Sequence, residues 1–315
     1  MRLFSASLDK LLLQMPDWWR MTAPSRSDHQ TVIASLSRAN ASLAVLEILA
    51  KFGITTTRQI ARFRFGAATI TQEQRLTRVL SSLRDDGLVR TRPSKEEIRK
   101  NPRLRWFIPV HGLTELGCAA ARHYDMGEGK EFEAEHSLLT IEHELKQADT
   151  QYAIEQLCEK NGWGFFAEHA DLYRTVDPDR IFGIDKGAGF APMFYEEENR
   201  KKDFADLYRK ARRYFDYFDT EQCEKEWGWF RRFHVLWQFP NEERTLNIIR
   251  FLAGECRCIH YRGTIKHTCL PHGLQEKPLK VPTFWFTHDE LTKDIGGEIW
   301  VTPLDYPKTY SFGDI

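Results

Sequence analysis

The sequence predicts an α/β protein in which a mainly helical N-terminal module with a β-hairpin precedes a sheet covered by helices. Two observations carry this prediction. Residues 41–109 contain three helical patterns followed by two strand-like runs. From residue 136 onward, helical patterns alternate with short apolar and aromatic runs, which is typical of a sheet packed against helices. The polar segment Asp125–Lys130 contains two glycines and predicts a linker between the parts.

The length and composition favour two globular domains. A chain of 315 residues and 37.0 kDa allows roughly two hydrophobic cores. We expect an N-terminal extension at 1–40, one domain at 41–125 and a second at 131–315. No apolar run reaches the roughly 18 residues of a membrane helix, and charges at Asp9, Lys10 and Asp17 interrupt the apolar start. These features predict a cytoplasmic protein without a membrane segment.

The net charge of zero conceals an uneven distribution of charge. Residues 1–125 hold 20 Lys and Arg against 11 Asp and Glu, whereas the remainder holds 25 against 34. A basic part joined to an acidic part is expected when a nucleic-acid-binding module accompanies a site that gathers carboxylates. Chance variation in surface composition is the alternative.

The N-terminal pattern is helix, helix, helix, hairpin. SLAVLEILAKFG predicts a first helix that Asn40 or Ser42 caps and Gly53 ends, and a threonine-capped second helix follows. The third helix ends at Gly87 and carries a polar stripe of Arg75, Arg78 and Ser82. Strands at Leu88–Thr91 and Leu104–Pro109 flank the basic loop RPSKEEIRKNPRLR.

This order is that of a winged helix-turn-helix, in which the third helix enters the major groove and the wing contacts the DNA backbone. Thirteen basic and five acidic residues between Arg58 and Arg105 would neutralise several phosphates. A winged helix used for protein contacts is the alternative. The residues expected to bind double-stranded DNA are Arg75, Arg78, Arg92, Lys95, Lys100 and Arg103.

The acidic part places carboxylates at the ends of predicted strands. Pro178-Asp179 opens the second strand, and the third ends in the run Glu196–Glu198. Helix, three strands, helix, strand with these acids is the order of the PD-(D/E)XK (restriction-endonuclease-like) nuclease core. Alternation along a strand puts Glu196 and Glu198 on one face and Glu197 on the other. Carboxylates of this kind suit Mg²⁺, although a solvated strand end would also carry them.

The chain resembles the MOBC-type relaxases and the related replication-relaxation proteins of mobile elements, which join a winged helix to a PD-(D/E)XK-like nuclease domain. Besides the acids above, the matching residues are His143-Glu144 with Asp149, and Lys210 with Tyr214. The resemblance implies metal-dependent nicking of one DNA strand at the transfer origin of a plasmid or integrative element. It also implies Mg²⁺ or Mn²⁺ as cofactor and relaxosome accessory proteins as partners.

The resemblance also implies roles for individual residues. Asp179, Glu196 and Glu198 would hold the metal, and Lys210 would orient the nucleophile or stabilise charge. Glu144 would support metal or water, His143 would bind phosphate or metal, and Asp149 would lie behind them. Two departures matter: Leu145 replaces an expected amide, and the third strand reads Glu-x-Glu instead of Glu-x-Lys. Lys210, or Lys201 or Arg200 locally, would then supply the cation.

Three other hypotheses remain open. If no cation completes the site, the chain is a non-catalytic DNA-binding protein of replication or transcription control with a degenerate nuclease domain. Tyrosines at 208, 214 and 217 are candidate covalent nucleophiles. A structural Zn²⁺ site is a third hypothesis. Its candidate ligands are Cys256, Cys258, His260, His267, Cys269 and His272. A zinc-protease motif fails because Gln147 stands where the second histidine is needed.

Overall fold

The chain folds into a mixed α/β structure with two sheets, so the predicted α/β class is confirmed. The computed structural model describes residues 40–103, 107–127, 129–133, 136–168, 176–187, 190–198, 204–227, 233–253, 283–289, 292–302 and 307–315. The N-terminal extension, the cysteine and histidine cluster at 256–272, Arg200 and Lys201 lie outside the described residues. In the described part, no helix has the length and apolar composition needed to span a bilayer.

Residues 40–123 form a helical unit around a small sheet. Its elements are α1 (Asn40–Phe52), β1 (Thr55–Thr56), α2 (Thr57–Phe65), α3 (Ile70–Asp85), β2 (Val89–Arg92), α4 (Lys95–Lys100), β3 (Val110–Leu113) and α5 (Glu115–His123). The strands pair antiparallel in the order β1-β3-β2. Leucines of α1 and α3 fill the core between the helices, because their helical spacing puts them on one face of each helix.

Local sequence signals set where the second and third helices begin. Thr56 caps α2 and Thr69 caps α3, each in a capping box with the glutamine three residues later. Gly66 ends α2 with φ +76°, a left-handed conformation that favours glycine. The caps therefore fix the turn between α2 and α3, and with it the orientation of α3.

The hairpin differs from the prediction in its second strand. The sequence suggested Leu104–Pro109, but the returning strand is Val110–Leu113, four buried residues paired with both neighbouring strands. Pro109 has no N–H to donate and cannot serve in a central strand, so the pairing starts after it. The loop also contains helix α4, whose Ser94 cap forms a capping box with Glu97.

The rest of the described chain builds a seven-stranded sheet. Its elements are α6 (Leu138–Asn161), β4 (Gly164–Glu168), β5 (Arg180–Asp185), β6 (Phe190–Glu197), α7 (Phe204–Asp219), α8 (Gln222–Trp227), β7 (His234–Phe239), α9 (Glu242–Ala253), β8 (Thr283–His288), a 3₁₀ turn (Thr292–Asp294), β9 (Trp300–Val301) and β10 (Thr309–Tyr310). The strand order is β10-β9-β8-β7-β6-β5-β4. Strands β6, β7 and β8 are parallel, and the other neighbours pair antiparallel.

Helices cover both faces of this sheet. Residues of α6 pack with Tyr195 and Leu236 on one face, whereas residues of α7 and α9 pack with Phe194 and Trp237 on the other. The parallel pairing aligns the carboxyl ends of β6 and β7, since Glu197 lies beside Gln238. Side chains at the end of β6 therefore meet α6 on one face and α7 or α9 on the other.

Helix α6 also packs against residues 40–123. Gln59 Nε2 donates to the Leu145 carbonyl at 2.9 Å, and the Tyr152 hydroxyl donates to the Arg62 carbonyl at 3.1 Å. Arg62 forms an ion pair with Asp149. Asp149 is thus an interface residue, which corrects the expectation that it lies behind a catalytic site.

The buried imidazole of His111 predicts an acid-sensitive N-terminal sheet. Hydroxyls of Thr57 and Thr91 contact its two ring nitrogens at 2.9 and 3.0 Å, and burial lowers its pKa to about 4. The stabilising effect of the neutral ring is complete above the unfolded-state pKa of about 6.5 and is lost as pH falls toward about 4.

We therefore expect the difference in unfolding free energy between the wild type and His111→Gln to shrink by about 2 kcal/mol between about pH 7 and about pH 5. Urea denaturation at both pH values measures this difference, and the other histidines cancel in the comparison. A difference that does not change with pH would show that His111 keeps an ordinary pKa in the folded protein.

Candidate active site

The end of β6 holds a buried carboxylate bound by helix α7. Glu196 is fully buried and forms an ion pair with Lys210 through Oε2. The Tyr214 hydroxyl donates a hydrogen bond of 2.5 Å to Oε1 of the same carboxylate. Lys210 and Tyr214 are four residues apart on α7, so both project from one face of that helix. The lysine and the tyrosine of the Lys-x-x-x-Tyr pattern therefore both bind the Glu196 carboxylate.

Asp179 lies beside this pair at the start of β5. Its backbone N–H donates to the Tyr195 carbonyl at 3.0 Å, and its Oδ2 accepts from the Glu197 N–H at 2.6 Å. Its Oδ1 lies 3.9 Å from Lys210 Nζ. One ammonium group thus contacts both Asp179 and Glu196, although Asp179 and Lys210 are 31 positions apart in the chain.

Glu197 points to the opposite face, as strand alternation predicts. Its carboxylate lies 3.7 Å from His143 Nδ1 and 3.5 Å from Lys146 Nζ, both on α6. His143 Nε2 in turn lies 3.3 Å from Asp179 Oδ1. His143 therefore connects Asp179 with Glu197, and Glu197 belongs to the polar group around Asp179 even though it faces away from Glu196.

Glu198 and Glu144 have different surroundings from those the sequence suggested. Glu198 is buried and accepts a hydrogen bond of 2.9 Å from Arg244 on α9, so its cation differs from that of Glu196. Glu144 is also buried and binds Arg180 at 3.0 Å and Lys130 at 3.3 Å. Glu144 therefore belongs to an internal ion pair at the C-terminal end of α1.

Burial and neighbouring charges shift the pKa values of the group. Burial, reinforced by Asp179 and opposed by Lys210, raises the pKa of Glu196 to about 7. Burial alone would raise the pKa of Asp179 too, but Lys210 and His143 lower it below its usual value. Burial lowers the pKa of His143, yet the nearby carboxylates of Asp179 and Glu197 outweigh burial and raise it to about 10. His143 and Lys210 are therefore cationic at neutral pH.

A divalent cation at this site would have to use the two carboxylates that Lys210 joins. Among the residues described, no three His, Cys, Asp or Glu side chains are arranged to hold a metal ion by themselves. Magnesium sites commonly use one or two carboxylates and complete the shell with water and phosphate oxygens. Asp179 and Glu196, joined by Lys210, supply two such carboxylates.

The residues expected to bind DNA fall into different environments. Arg75, Arg78 and Arg103 are exposed, and the first two make no hydrogen bond or ion pair to any residue within the described ranges. Lys100 pairs with Glu96 at the surface, and the side chain of Lys95 lies outside the described part. Arg92 binds Glu97 at 2.9 Å and donates to the His136 carbonyl at 2.6 Å, so its guanidinium serves an internal contact.

Sequence reasoning missed Lys146, Arg180 and Arg244, each of which neutralises a buried carboxylate. Lys146 follows His143 by three residues on the same helix, and this spacing is a signal that could have identified it. Arg180 and Arg244 belong to separate elements, and no spacing in the chain links them to Glu144 and Glu198.

The family model described as Replication-relaxation matches residues 46–232 of the chain. Searches of the curated proteins and of the solved structures found no significant match. The matched segment runs from α1 to the residues before β7. It contains the exposed arginines of α3 as well as Asp179, Glu196 and Lys210. Because this match covers more than half of the chain, the protein belongs to the replication-relaxation family.

Proposed function

We propose that this protein is a metal-dependent DNA-nicking relaxase that acts at the transfer origin of a plasmid or integrative element. Family membership indicates a role in plasmid replication or relaxation. The observation that carries the finer proposal is the position of Lys210, whose ammonium contacts both Asp179 and Glu196 at the end of the sheet. Two carboxylates and a lysine are the groups of a PD-(D/E)XK site, with the lysine supplied here by a helix.

Asp179 and Glu196 would hold Mg²⁺ or Mn²⁺. The bound metal lowers the pKa of a coordinated water and screens negative charge on a phosphate. Lys210 places a fixed positive charge between the two carboxylates, where it stabilises charge that develops on the phosphate. His143 is cationic and lies at the other side of Asp179, so it orients that carboxylate.

The surroundings of Tyr214 argue against this tyrosine as a covalent nucleophile. Its hydroxyl is fully committed to Glu196, and burial together with the charge of Glu196 raises its pKa well above the usual value. A buried, protonated phenol is a poor nucleophile. Tyr214 instead positions Glu196. Of the other two candidates, Tyr217 donates its hydroxyl to Glu226 at 2.9 Å, and the side chain of Tyr208 lies outside the described residues.

Residues 40–123 would dock the protein on duplex DNA as a winged helix. Its element order supports this reading, because α3 follows a tight capped turn and β2 and β3 enclose a loop with basic residues. Arg75 and Arg78 lie on the exposed side of α3, the side opposite its buried leucines. That geometry suits insertion of α3 into the major groove.

A plasmid assay tests the nicking proposal. Supercoiled plasmid that carries its own transfer origin is incubated with the pure protein and Mg²⁺ or Mn²⁺, or with a chelator. We expect open circles only with metal, and none with Asp179→Asn or Glu196→Gln. Glu243→Gln, an exposed carboxylate in the first turn of α9, is the matched control and should nick normally. DNA that is bound and left intact would refute the nuclease, and protein attached to the cut end would indicate a tyrosine mechanism.

The DNA-binding proposal predicts different effects for exposed and internal arginines. Arg75→Ala and Arg78→Ala should each weaken duplex binding and reduce the slope of log affinity against log salt by about one. Arg92→Ala should leave that slope unchanged, since its guanidinium binds Glu97 and His136. Fluorescence anisotropy with a labelled duplex at several salt concentrations measures the slopes. Equal slope changes for all three variants would exclude α3 as the specific contact.

A further inference from the structure

A cavity of about 260 Å³ opens to solvent along α7 and is lined by Lys210, the residue that contacts Asp179 and Glu196. Its inner wall contains Lys210 and Tyr214, the same two side chains that bind Glu196. Pockets that enclose whole small ligands measure about 300–1,000 Å³. This cavity therefore suits one part of a longer molecule that reaches Lys210 from outside.

The outer wall of the cavity carries two arginines one helical turn apart. Arg209 and Arg213 are exposed residues of α7 that flank Lys210 in the sequence. Two carboxylates, Asp177 and Asp206, also line the cavity. Asp206 forms an ion pair with Arg209, and this pair holds Arg209 at the rim.

Arg213 differs from the other cations of the cavity. Lys210 is bound to Glu196 and Arg209 to Asp206, whereas Arg213 makes no hydrogen bond or ion pair to any residue in the described part of the chain. A guanidinium is a planar group of five donors that binds a phosphate through two parallel hydrogen bonds. Arg213 thus offers such a group at the entrance to the site.

We propose that Arg213, with Arg209 beside it, binds a backbone phosphate of the DNA strand adjacent to the phosphate that reaches Lys210. This inference rests on the proposed nicking function and adds a strand-binding site to it. Arg213 is a positioning residue in this scheme, because it holds the strand in register and does not touch the reacting phosphate. The ligand is the phosphodiester backbone of one DNA strand, because the cavity is smaller than the pockets that enclose whole small ligands.

The neighbouring Arg212 provides a matched control. It is also an exposed arginine of α7, but it pairs with Asp216 at 2.9 Å and does not line the cavity. Arg212→Gln removes the same charge from the same helix as Arg213→Gln. Loss of one positive charge on α7 therefore affects both variants equally. A difference in DNA binding between them reports on the position of Arg213 in the cavity.

The first experiment measures binding of a fluorescein-labelled oligothymidylate of about 12 nucleotides, a length typical of single-strand sites. Arg213→Gln should weaken binding about tenfold and reduce the salt slope by about 0.7. Arg212→Gln should change affinity less than twofold. Equal losses in Arg212→Gln and Arg213→Gln would overturn the proposal.

The second experiment uses the supercoiled plasmid. Arg213→Gln should raise KM for nicking and leave kcat unchanged, as expected for a contact made equally in ground and transition states. An intact plasmid combined with selective loss of oligonucleotide binding in Arg213→Gln would refute nicking and retain the strand site. A nicked plasmid whose KM is the same in Arg213→Gln and Arg212→Gln would refute the strand site alone.

Discussion

Replacing Lys210 by methionine is expected to lower the free energy of unfolding by about 3 kcal/mol, the cost typical of breaking a buried ion pair. Glu196 is fully buried and Lys210 is its cation, so the single change leaves that carboxylate to be neutralised by protonation. The double variant Lys210→Met with Glu196→Gln removes both charges. It should recover most of the lost stability, because two neutral groups of similar size replace the pair.

Nicking by the same variants separates stability from catalysis. Both the single and the double variant should lose at least about 100-fold in rate, because both lack the Lys210 charge that stabilises the reacting phosphate and the double variant also lacks the Glu196 carboxylate. Urea denaturation and the plasmid assay on the same preparations provide the two measurements. A double variant that regains both stability and nicking would show that neither Lys210 nor Glu196 is needed for catalysis.

Replacing Arg180 by methionine is expected to cost about 3–5 kcal/mol of stability. Arg180 is almost completely buried, and its guanidinium donates to the Phe52 carbonyl at 3.1 Å and to Glu144 at 3.0 Å. It therefore ties the last turn of α1 to α6 and to the first residue of β5. Arg180→Lys should also be destabilising, since a single ammonium does not reproduce the two directed hydrogen bonds of a guanidinium.

Glu144 provides the discriminating comparison for this second prediction. If Glu144 acts only as the partner of Arg180 and Lys130, Glu144→Gln should lower stability by about 1–3 kcal/mol and nick within about threefold of the wild type when folded. Its effect and that of Arg180→Met should be less than additive, because they remove the same interaction. A folded Glu144→Gln protein that fails to nick would show that Glu144 has the catalytic role expected from the sequence.

The neighbouring residues Asp179 and Arg180 connect the two parts of the protein. Arg180 binds the end of α1, and the preceding residue contacts Lys210 and His143. Only one peptide bond separates the contact to residues 40–123 from the candidate site. The position of Asp179 therefore depends on β6, which it contacts directly, and on α1, which the next residue binds.

Local sequence signals determined the helices, their caps and the alternation along β6. The threonine caps of α2 and α3, the leucine faces of α1 and α3, and the acids at the end of β6 follow from spacing and from the short-range chemistry of each residue type. The second strand of the hairpin was predicted wrongly. The basic loop contains a short capped helix, and Pro109 cannot donate a backbone hydrogen bond, so the strand begins only at Val110. These properties depend on neighbours in the chain, which is why the sequence reveals most of them.

The sequence by itself thus determined the α/β class, the uneven charge and the residues at the end of β6. Only the tertiary structure decided which cation each carboxylate receives: Lys210 for Asp179 and Glu196, Arg244 for Glu198, and Arg180 with Lys130 for Glu144. The physical reason is that a buried charge must be neutralised by whichever opposite charge the packing of distant elements brings within a few ångströms. No local pattern encodes that choice.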